Sequence, residues 1–339
     1  MPLIYTRKFD SPSHTLLAFI TPSAQPAYLA LRAFNIEVAR IADVASTPTV
    51  GAMRLQFWRD NINRAFAGSP PKQPVSILLA SALSALNTRS AGRAKLSKSW
   101  FMRIISEREK YISNAPYPTL ESLEKYAENT YSTLLYLTLQ ALPMGSVTAD
   151  HVASHIGKAA GITAVLRGLP LVAFPPPPNH HSNSSPLGGT LDSQRRTQGS
   201  VTLPLDVMAR AGVKDEDVLR KGADAEGLRD AVFEVATRAS DHLITARQML
   251  KNVYAGQDVG HVFEHEDEEE HLHHRAAGKS AQQKEEVERA FGVFMPAVAT
   301  ELWLNKLQKY DFDVFREELR RRDWRLPWKA YFAHRRRMF

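Results

Sequence analysis

Residues 27–43 read AYLALRAFNIEVARIAD, with apolar side chains at steps of four and three at Ala27, Leu31, Phe34, Val38 and Ile41. This spacing places them on one face of an α-helix. After Thr47-Pro48, which is typical of a break between helices, the same spacing returns at Leu55, Trp58, Ile62 and Phe66. The sequence therefore predicts two helices joined by a short turn, each with one apolar face.

The same periodicity continues through the middle of the chain. One helix is predicted to begin after Thr119, an N-cap residue, and a further helix to begin at Thr148 as its cap. Pro170 is expected to end or kink the second of these helices. Gly157 and Gly161 lie one turn apart within it, so we expect another helix to approach closely there.

Two later helices are predicted from apolar residues at helical spacing over residues 228–250 and 287–307. Alternating strand patterns are scarce, which argues against a doubly wound α/β fold. Residues 174–200 are rich in Pro, Ser, Gly and Asn, and residues 255–283 contain an acidic and His-rich run. The prediction is an all-α domain with two disordered surface insertions.

Composition limits the class of protein. The chain has 339 residues, 44% of them hydrophobic, no cysteine, and 43 Lys and Arg against 36 Asp and Glu, which gives a net charge of +7. The hydrophobic content suffices for a large core, and the lack of cysteine excludes disulfides, thiolate zinc sites and Cys nucleophiles. We find no run approaching the roughly 20 apolar residues that a membrane-spanning helix needs.

The positive charge is concentrated near the C-terminus. Residues 316–339 contain nine Lys or Arg against three acids, with aromatic residues between them. Such a segment could bind an anionic membrane surface or a nucleic-acid backbone. It could equally be the solvated end of a helix. The candidates for a membrane surface are Arg320, Arg321, Arg322, Trp324, Arg325, Trp328 and Lys329.

Several motifs occur in the order found in one protein family. AYLALRAFNIEVARIAD is followed by MRLQFWRDNI at residues 53–62, HIGKAAGITAVLRGLP at 155–170 and TLPLDVMARAGV at 202–213. Over residues 9–335, apart from the insertions, the chain resembles the squalene/phytoene synthase family. The resemblance implies one α-helical domain with the isoprenoid-synthase fold.

Further motifs resemble a divergent mitochondrial branch of that family, the complex I assembly factor 6 proteins. They include LRAFNIEVA at residues 31–39, YAENTYSTLLYLTL at 126–139, ADHVASHIGKAAGI at 149–162 and DFDVF at 311–315. The resemblance implies a role in building NADH:ubiquinone oxidoreductase through its ND1-containing membrane-side module, with its subunits or other assembly factors as partners. It also implies peripheral attachment to the matrix side of the inner mitochondrial membrane, and no nucleic-acid partner.

The N-terminal residues bear on that localisation. Matrix import usually uses an Arg-rich amphipathic presequence that is poor in acids. Here MPLIYTRKFDSPSH contains Asp10 and enters the family resemblance almost at once. We therefore expect either a leader that is missing from this gene model or an internal import signal.

The family's chemistry depends on two acidic motifs, which are degenerate here. In the enzymes, carboxylates hold magnesium ions that neutralise an allylic diphosphate as it ionises. The corresponding positions are Ala39, Arg40 and Asp43 in the first motif and Arg167, Gly168 and Leu171 in the second. Because Asp43 is the only acid left at these positions, we predict a pseudo-enzyme with no catalytic residue, no metal and no cofactor.

Side chains near the degenerate motifs remain candidates for a binding pocket. They are Arg32, Arg40, Arg59, Tyr126, Asn129 and Arg167. Because arginine binds phosphate directly, one alternative is a prenyl or lipid ligand, bound by a diverged prenyl transferase or by a module without turnover. The other alternative is that the arginines form structural ion pairs with Glu37, Asp43 and Asp60.

Overall fold

The described part of the protein is built from helices alone. The computed structural model describes residues 2–45, 47–142, 145–175, 199–257 and 279–339. Its α-helices are α1 Pro2–Phe9, α2 Ser11–Leu16, α3 Gln25–Ala39, α4 Ile41–Val44, α5 Pro48–Phe66, α6 Pro74–Ser90, α7 Lys98–Lys110, α8 Leu120–Ala127, α9 Thr133–Gln140, α10 Val147–Ala173, α11 Leu205–Ala211, α12 Asp215–Lys221, α13 Leu228–Tyr254, α14 Lys279–Ala290, α15 Pro296–Lys309 and α16 Leu326–Arg336. The predicted all-α class is confirmed.

The two predicted insertions fall largely outside the described residues. Residues 176–198 belong to the first insertion and residues 258–278 to the second, and neither range is described. The second insertion ends earlier than predicted, because residues 279–283 form the start of α14.

The predicted N-terminal helix pair forms, and aromatic rings join its apolar faces. Phe34 of α3 is fully buried. Its ring lies edge to face against Trp58 of α5 at a centroid distance of 5.7 Å and against Phe101 of α7 at 5.2 Å. This packing fixes the position of α3 in the core.

Helix α10 is central to the core. It packs along α13 and also contacts α8, α9 and α15. By length and mean hydropathy α10 is the one described helix that could cross a membrane, but 56% of its most apolar window is buried inside the protein. It therefore has the character of a core helix, and its many Ala and Gly residues explain why no long run of large apolar residues marks it in the sequence.

One of the two predicted helix caps is confirmed. The Thr119 hydroxyl accepts a hydrogen bond from the Ser122 amide at 3.1 Å and caps α8. The prediction of Thr148 as the cap of α10 is wrong. Ser146 caps α10 by accepting from the Ala149 amide at 3.3 Å, because Ser146 is the residue with the extended backbone that an N-cap requires.

Pro170 does not end α10, so the first of the two outcomes expected from the sequence, an end or a kink, is wrong. The helix continues to Ala173, and the Phe174 amide donates to the Pro170 carbonyl at 3.2 Å. Pro170 has no amide to donate to the Leu166 carbonyl four residues earlier, and α10 continues despite the loss of this one hydrogen bond.

Gly157 and Gly161 allow a second segment to approach α10 closely, as predicted. A Cβ atom built on Gly157 would lie 2.3 Å from the Ser132 Cα, and one built on Gly161 would lie 2.5 Å from the Ala127 Cβ. The approaching segment includes a π-helical turn, Glu128–Ser132, between α8 and α9. This contact therefore depends on two positions without side chains.

Helix α16 packs against the rest of the protein by one face. Leu326, Ala330 and Ala333 are buried on that face, next to α2 and α15. The face that includes Trp328 points to solvent, where Trp328 is 64% exposed. This arrangement brings the C-terminal helix beside the N-terminal helices.

Candidate functional site

A cavity of about 590 Å³ lies between the N-terminal segment, α3, α10, α15 and residues 319–326. We call it the basic cavity. Its lining includes Lys8, Phe9, Asp10, Leu16, Arg32, Asn35, Ile36, Ala39, Arg40, Tyr131, Ala160, Thr163, Ala164, Arg167, Leu302, Trp303, Lys306, Leu319, Arg320, Arg321, Arg322, Asp323 and Leu326. The lining thus combines many cations with a large apolar area.

The charge of this lining is strongly unbalanced. Eight Lys or Arg side chains line the basic cavity, against the two acids Asp10 and Asp323. Both acids already have local partners. Asp10 caps α2 by accepting from the Ser13 amide at 3.3 Å, and Asp323 forms an ion pair with Arg325 at 2.7 Å. The excess of positive charge makes the cavity attractive to an anion.

Two arginines of α3 lie over aromatic rings. The Arg32 guanidinium carbon is 5.1 Å from the ring centre of Tyr28, and that of Arg40 is 4.0 Å from the ring centre of Phe9. Arg32 is only 7% exposed. Burial alone would lower the pKa of Arg32, but the nearby Tyr28 and Asp10 raise it, and the net direction is upward. Arg32 therefore keeps its charge although it is buried.

Helix α10 contributes Thr163 and Arg167, one turn apart, to the same lining. Thr163 is 4% exposed, and its buried hydroxyl forms no hydrogen bond with any described residue. A helical threonine commonly donates to the carbonyl four residues earlier, which Thr163 does not do. The wall of the basic cavity therefore includes a residue whose hydroxyl is unpartnered among the described residues, although the oxygen itself is covered.

The fold brings residues of both degenerate motifs to the basic cavity. Ala39 and Arg40 of the first motif line it from α3, and Arg167 of the second lines it from α10. Asp43, the one acid left in these motifs, lines a separate cavity. The structure therefore places arginines and an alanine, rather than carboxylates, where the two motifs meet.

The other residues near these motifs lie outside the lining of the basic cavity. Gly168 and Leu171 do not line it, and Leu171 is 53% exposed. Glu37 accepts a hydrogen bond from the Tyr5 hydroxyl at 2.6 Å; burial and Glu37 together raise the pKa of Tyr5 to about 12. Among the residues that the structure describes, no group of three or more His, Asp or Glu could hold a metal ion.

Tyr126, a predicted pocket residue, lines the smaller cavity of about 80 Å³ together with Asp43 and Arg108. Burial raises the pKa of Tyr126, and its ring lies edge to face against Tyr111 at 5.4 Å. Arg108 donates to Asn35 Oδ1 at 2.6 Å, while its Nε is buried without a partner among the described residues. Asn35 also lines the basic cavity, so one hydrogen bond links the two walls.

Two further predicted pocket residues form structural contacts instead. Arg59 makes a bidentate ion pair with Glu109, with nitrogen–oxygen distances of 3.3 and 2.5 Å. Asn129 donates to Glu107 at 3.0 Å. Neither Arg59 nor Asn129 lines the basic cavity. The ion-pair alternative holds for Arg59, although its partner is Glu109 and not one of the three acids expected from the sequence.

The C-terminal candidates separate into two groups. Arg320, Arg321 and Arg322 line the basic cavity. Lys329 is exposed on α16, and Arg325 is exposed and paired with Asp323. The exposed aromatic residues of this segment, which we call the aromatic surface, are Trp324, Trp328, Tyr331 and Phe332.

The aromatic surface adjoins the first helix of the chain. Trp324 is 78% exposed, and its neighbour Arg322 donates to the Arg7 carbonyl of α1 at 3.1 Å. Ile4 of α1 is 73% exposed. The basic cavity thus lies beside two exposed elements that carry large apolar side chains.

Some cavity residues were not found from the sequence. Asn35 follows Arg32 at helical spacing, so the periodicity of α3 is a signal that could have identified it. Lys8 and Lys306 come from distant parts of the chain, and no local pattern relates them. Thr163 lies four residues before Arg167 on one helix face, which is a second usable signal.

Comparison with known proteins identifies the family. The model of the squalene/phytoene synthase family matches residues 6–172 and 191–331. The chain belongs to the squalene/phytoene synthase family. Two solved members share its fold. A squalene synthase, HpnC from Alicyclobacillus acidocaldarius, is 14% identical with a TM-score of 0.61, covering 91% of this chain and 92% of that one. A dehydrosqualene synthase in complex with a ligand is 13% identical with a TM-score of 0.67, covering 99% and 94%.

Relatives with higher sequence identity are named as assembly factors rather than as synthases. A Bos taurus protein called NADH dehydrogenase (ubiquinone) complex I, assembly factor 6 is 35% identical over 98% of this chain and 80% of its own length. The Homo sapiens protein of that name is 33% identical over the same shares. A Drosophila melanogaster homolog is 28% identical over 96% of this chain and 80% of its own length.

Proposed function

We propose that this protein is a non-catalytic assembly factor for mitochondrial complex I. The relatives at 33 to 35% identity, aligned over 98% of the chain, support the assembly role. The observation that carries the non-catalytic part is the position of Arg40, which stands with Ala39 and Arg167 where the two metal motifs of the family meet.

Electrostatics explain why this lining is unsuited to magnesium. With an effective dielectric constant of 20, a cation about 5 Å from a divalent ion repels it by on the order of 6 to 7 kcal/mol. Metal-assisted ionisation of a diphosphate depends on oxygen ligands whose attraction for the metal ion offsets such repulsion. The two acids of the basic cavity already lie beside cations of the protein, Asp10 near Arg32 and Asp323 paired with Arg325, so they offset little of this repulsion.

Respiratory-complex profiling of cells that lack this protein tests the assembly role. The proposal requires a loss of assembled complex I while the other respiratory complexes remain. An unchanged level of assembled complex I would contradict it.

The protein attaches peripherally to the matrix side of the inner mitochondrial membrane through the aromatic surface and the cations around it. Tryptophan and tyrosine are favoured at the boundary between headgroups and acyl chains. Each Lys or Arg near an anionic bilayer adds about 1 kcal/mol. Trp328, Tyr331 and Phe332 lie at helical spacing on one exposed face of α16. Such a group of aromatic side chains is unusual on a surface that contacts water alone and supports this attachment.

The double variant Trp324→Ala/Trp328→Ala is expected to reduce binding to anionic liposomes at least tenfold. Inserting two tryptophans, even partly, is worth on the order of 2 kcal/mol from apolar area alone. Flotation with phosphatidylcholine vesicles containing 20 mol% cardiolipin measures the bound fraction.

The matched control for this experiment is Phe57→Ala, because Phe57 is 49% exposed on α5 and lies outside the aromatic surface. The control is expected to float like the wild type. Binding of the wild type should also fall as salt is raised, since exposed charges are screened. Equal flotation of the double variant and the wild type would contradict attachment through the aromatic surface.

A further inference from the structure

The basic cavity contains more cations than its two acids can neutralise. Arg32, Arg40 and Arg167 line it from two helices, and none of them forms an ion pair with any described residue. Arg32 is almost fully buried. Asp10 lies near Arg32 and raises its pKa, but the eight cations of the lining outnumber its two acids. Because uncompensated buried charge is costly, the arrangement favours an anion between α3 and α10.

The donors of the cavity indicate which kind of anion fits. Guanidinium groups bind phosphate oxygens with two parallel hydrogen bonds. The buried Thr163 hydroxyl, which has no partner among the described residues, offers one more donor on the same wall. A tetrahedral phosphate has enough acceptor atoms for donors that arrive from both helices.

The remaining lining indicates an apolar body attached to that anion. Ile36 of α3 and Trp303 of α15 belong to the wall of the same cavity. A cavity of about 590 Å³ is within the usual size range of small-molecule sites. Its cationic residues 320–322 immediately precede Trp324 of the aromatic surface, so the cavity lies beside the part of the protein that would contact lipid.

We propose that the basic cavity binds the phosphate group of a single anionic phospholipid without a metal ion. Arg32, Arg40 and Arg167 contact the phosphate, and the Thr163 hydroxyl, which is covered in the free protein, turns about its Cα–Cβ bond to donate a hydrogen bond to it. The start of the acyl chains occupies the apolar wall. This inference rests on the proposed membrane attachment, because the bilayer supplies the lipid.

Titration calorimetry of the full chain with dihexanoyl phosphatidic acid, below its micelle concentration and in EDTA, tests the proposal. The double variant Arg40→Gln/Arg167→Gln is expected to bind at least tenfold more weakly than the wild type. The control Arg103→Gln, at an exposed position of α7, is expected to bind like the wild type. Wild-type affinity in the double variant, or binding that appears only with Mg²⁺, would overturn the proposal.

A second variant guards against a simple loss of folding. Thr163→Val keeps the shape of the side chain and removes a hydroxyl that bonds no described residue, so its thermal unfolding should match the wild type. It is expected to bind the lipid at least tenfold more weakly, which corresponds to the loss of one hydrogen bond to a charged group. Unchanged affinity for the lipid in this variant would overturn the proposed site.

A titration with inorganic phosphate distinguishes a phospholipid ligand from free phosphate, which would contact the same arginines. The lipid is expected to bind at least tenfold more tightly than inorganic phosphate, because the apolar wall contacts only the lipid. Equal affinities would overturn a lipid ligand. The aromatic-surface variant Trp324→Ala/Trp328→Ala should still bind the soluble lipid. If this variant loses flotation but keeps lipid binding, the cavity site is supported. If the wild type floats and supports complex I assembly but binds no soluble lipid, the cavity site alone is overturned.

Discussion

Gly157→Ala is expected to lower the free energy of unfolding by about 2 kcal/mol. The new Cβ would lie 2.3 Å from the Cα and 2.5 Å from the amide nitrogen of Ser132. Both atoms belong to the backbone, so no rotation of a side chain relieves the clash. Overpacking a core costs about 1–3 kcal/mol and occasionally more, which outweighs the gain of roughly 1 kcal/mol in helix propensity. Urea unfolding followed by circular dichroism measures the difference.

The same helix provides the matched control. A Cβ built on Gly168 meets no atom within 4 Å, so Gly168→Ala is expected to stabilise the protein by about 0.5–1 kcal/mol through helix propensity alone. The two substitutions are chemically identical and should have opposite signs. Equal stability of the two variants would show that the segment Glu128–Ser132 does not pack against α10 as closely as described.

Cells that lack this protein are expected to contain at least fivefold less assembled complex I. The expectation follows from relatives of 33 to 35% identity that are named for assembly of that complex. Native gel electrophoresis with an in-gel NADH dehydrogenase stain measures it. Re-expression of the wild-type chain should restore the complex, and the other respiratory complexes serve as the internal control.

Asp43→Asn separates the assembly role from residual chemistry in the same cells. Asp43 is the only acid that remains at the two motifs, and it lines the small cavity rather than the basic one. If the role is non-catalytic, this variant restores complex I as fully as the wild type does. Failure of a folded Asp43→Asn variant to restore complex I would indicate that the carboxylate still has a chemical task.

The helical core could be predicted well because it depends on local periodicity. The residues from Ala27 to Ile41 fix the buried face of α3 without reference to the rest of the chain. The pair Gly157 and Gly161 likewise predicted a close approach, since small residues one turn apart serve that purpose. The identity of the approaching segment could not be predicted, because it is set by tertiary packing.

Helix ends were less predictable, for a physical reason. Ser146 and Thr148 both have hydroxyls that can cap a helix, and the sequence does not distinguish them. The backbone decides, since the cap must be extended while its hydroxyl reaches an amide three residues later. Pro170 shows the same limit, because a proline removes one helical hydrogen bond to the preceding turn without fixing whether the helix stops there.

The candidate site could be predicted in part. Arg32, Arg40 and Arg167 were expected at one pocket from the family resemblance, and the fold places all three in the lining of the basic cavity. Arg59 and Asn129 were expected there too, but the rotation of their helices directs them to acids on α7. The rotation of a helix about its axis depends on the packing of the whole helix, so a short sequence motif does not predict it.

Pyrophosphate release from farnesyl diphosphate in the presence of Mg²⁺ tests most directly whether this protein kept the fold of its family without the metal-dependent condensation. We predict that the purified full chain releases pyrophosphate no faster than a blank without protein. Release above the blank that disappears in Asp43→Asn would contradict a non-catalytic role.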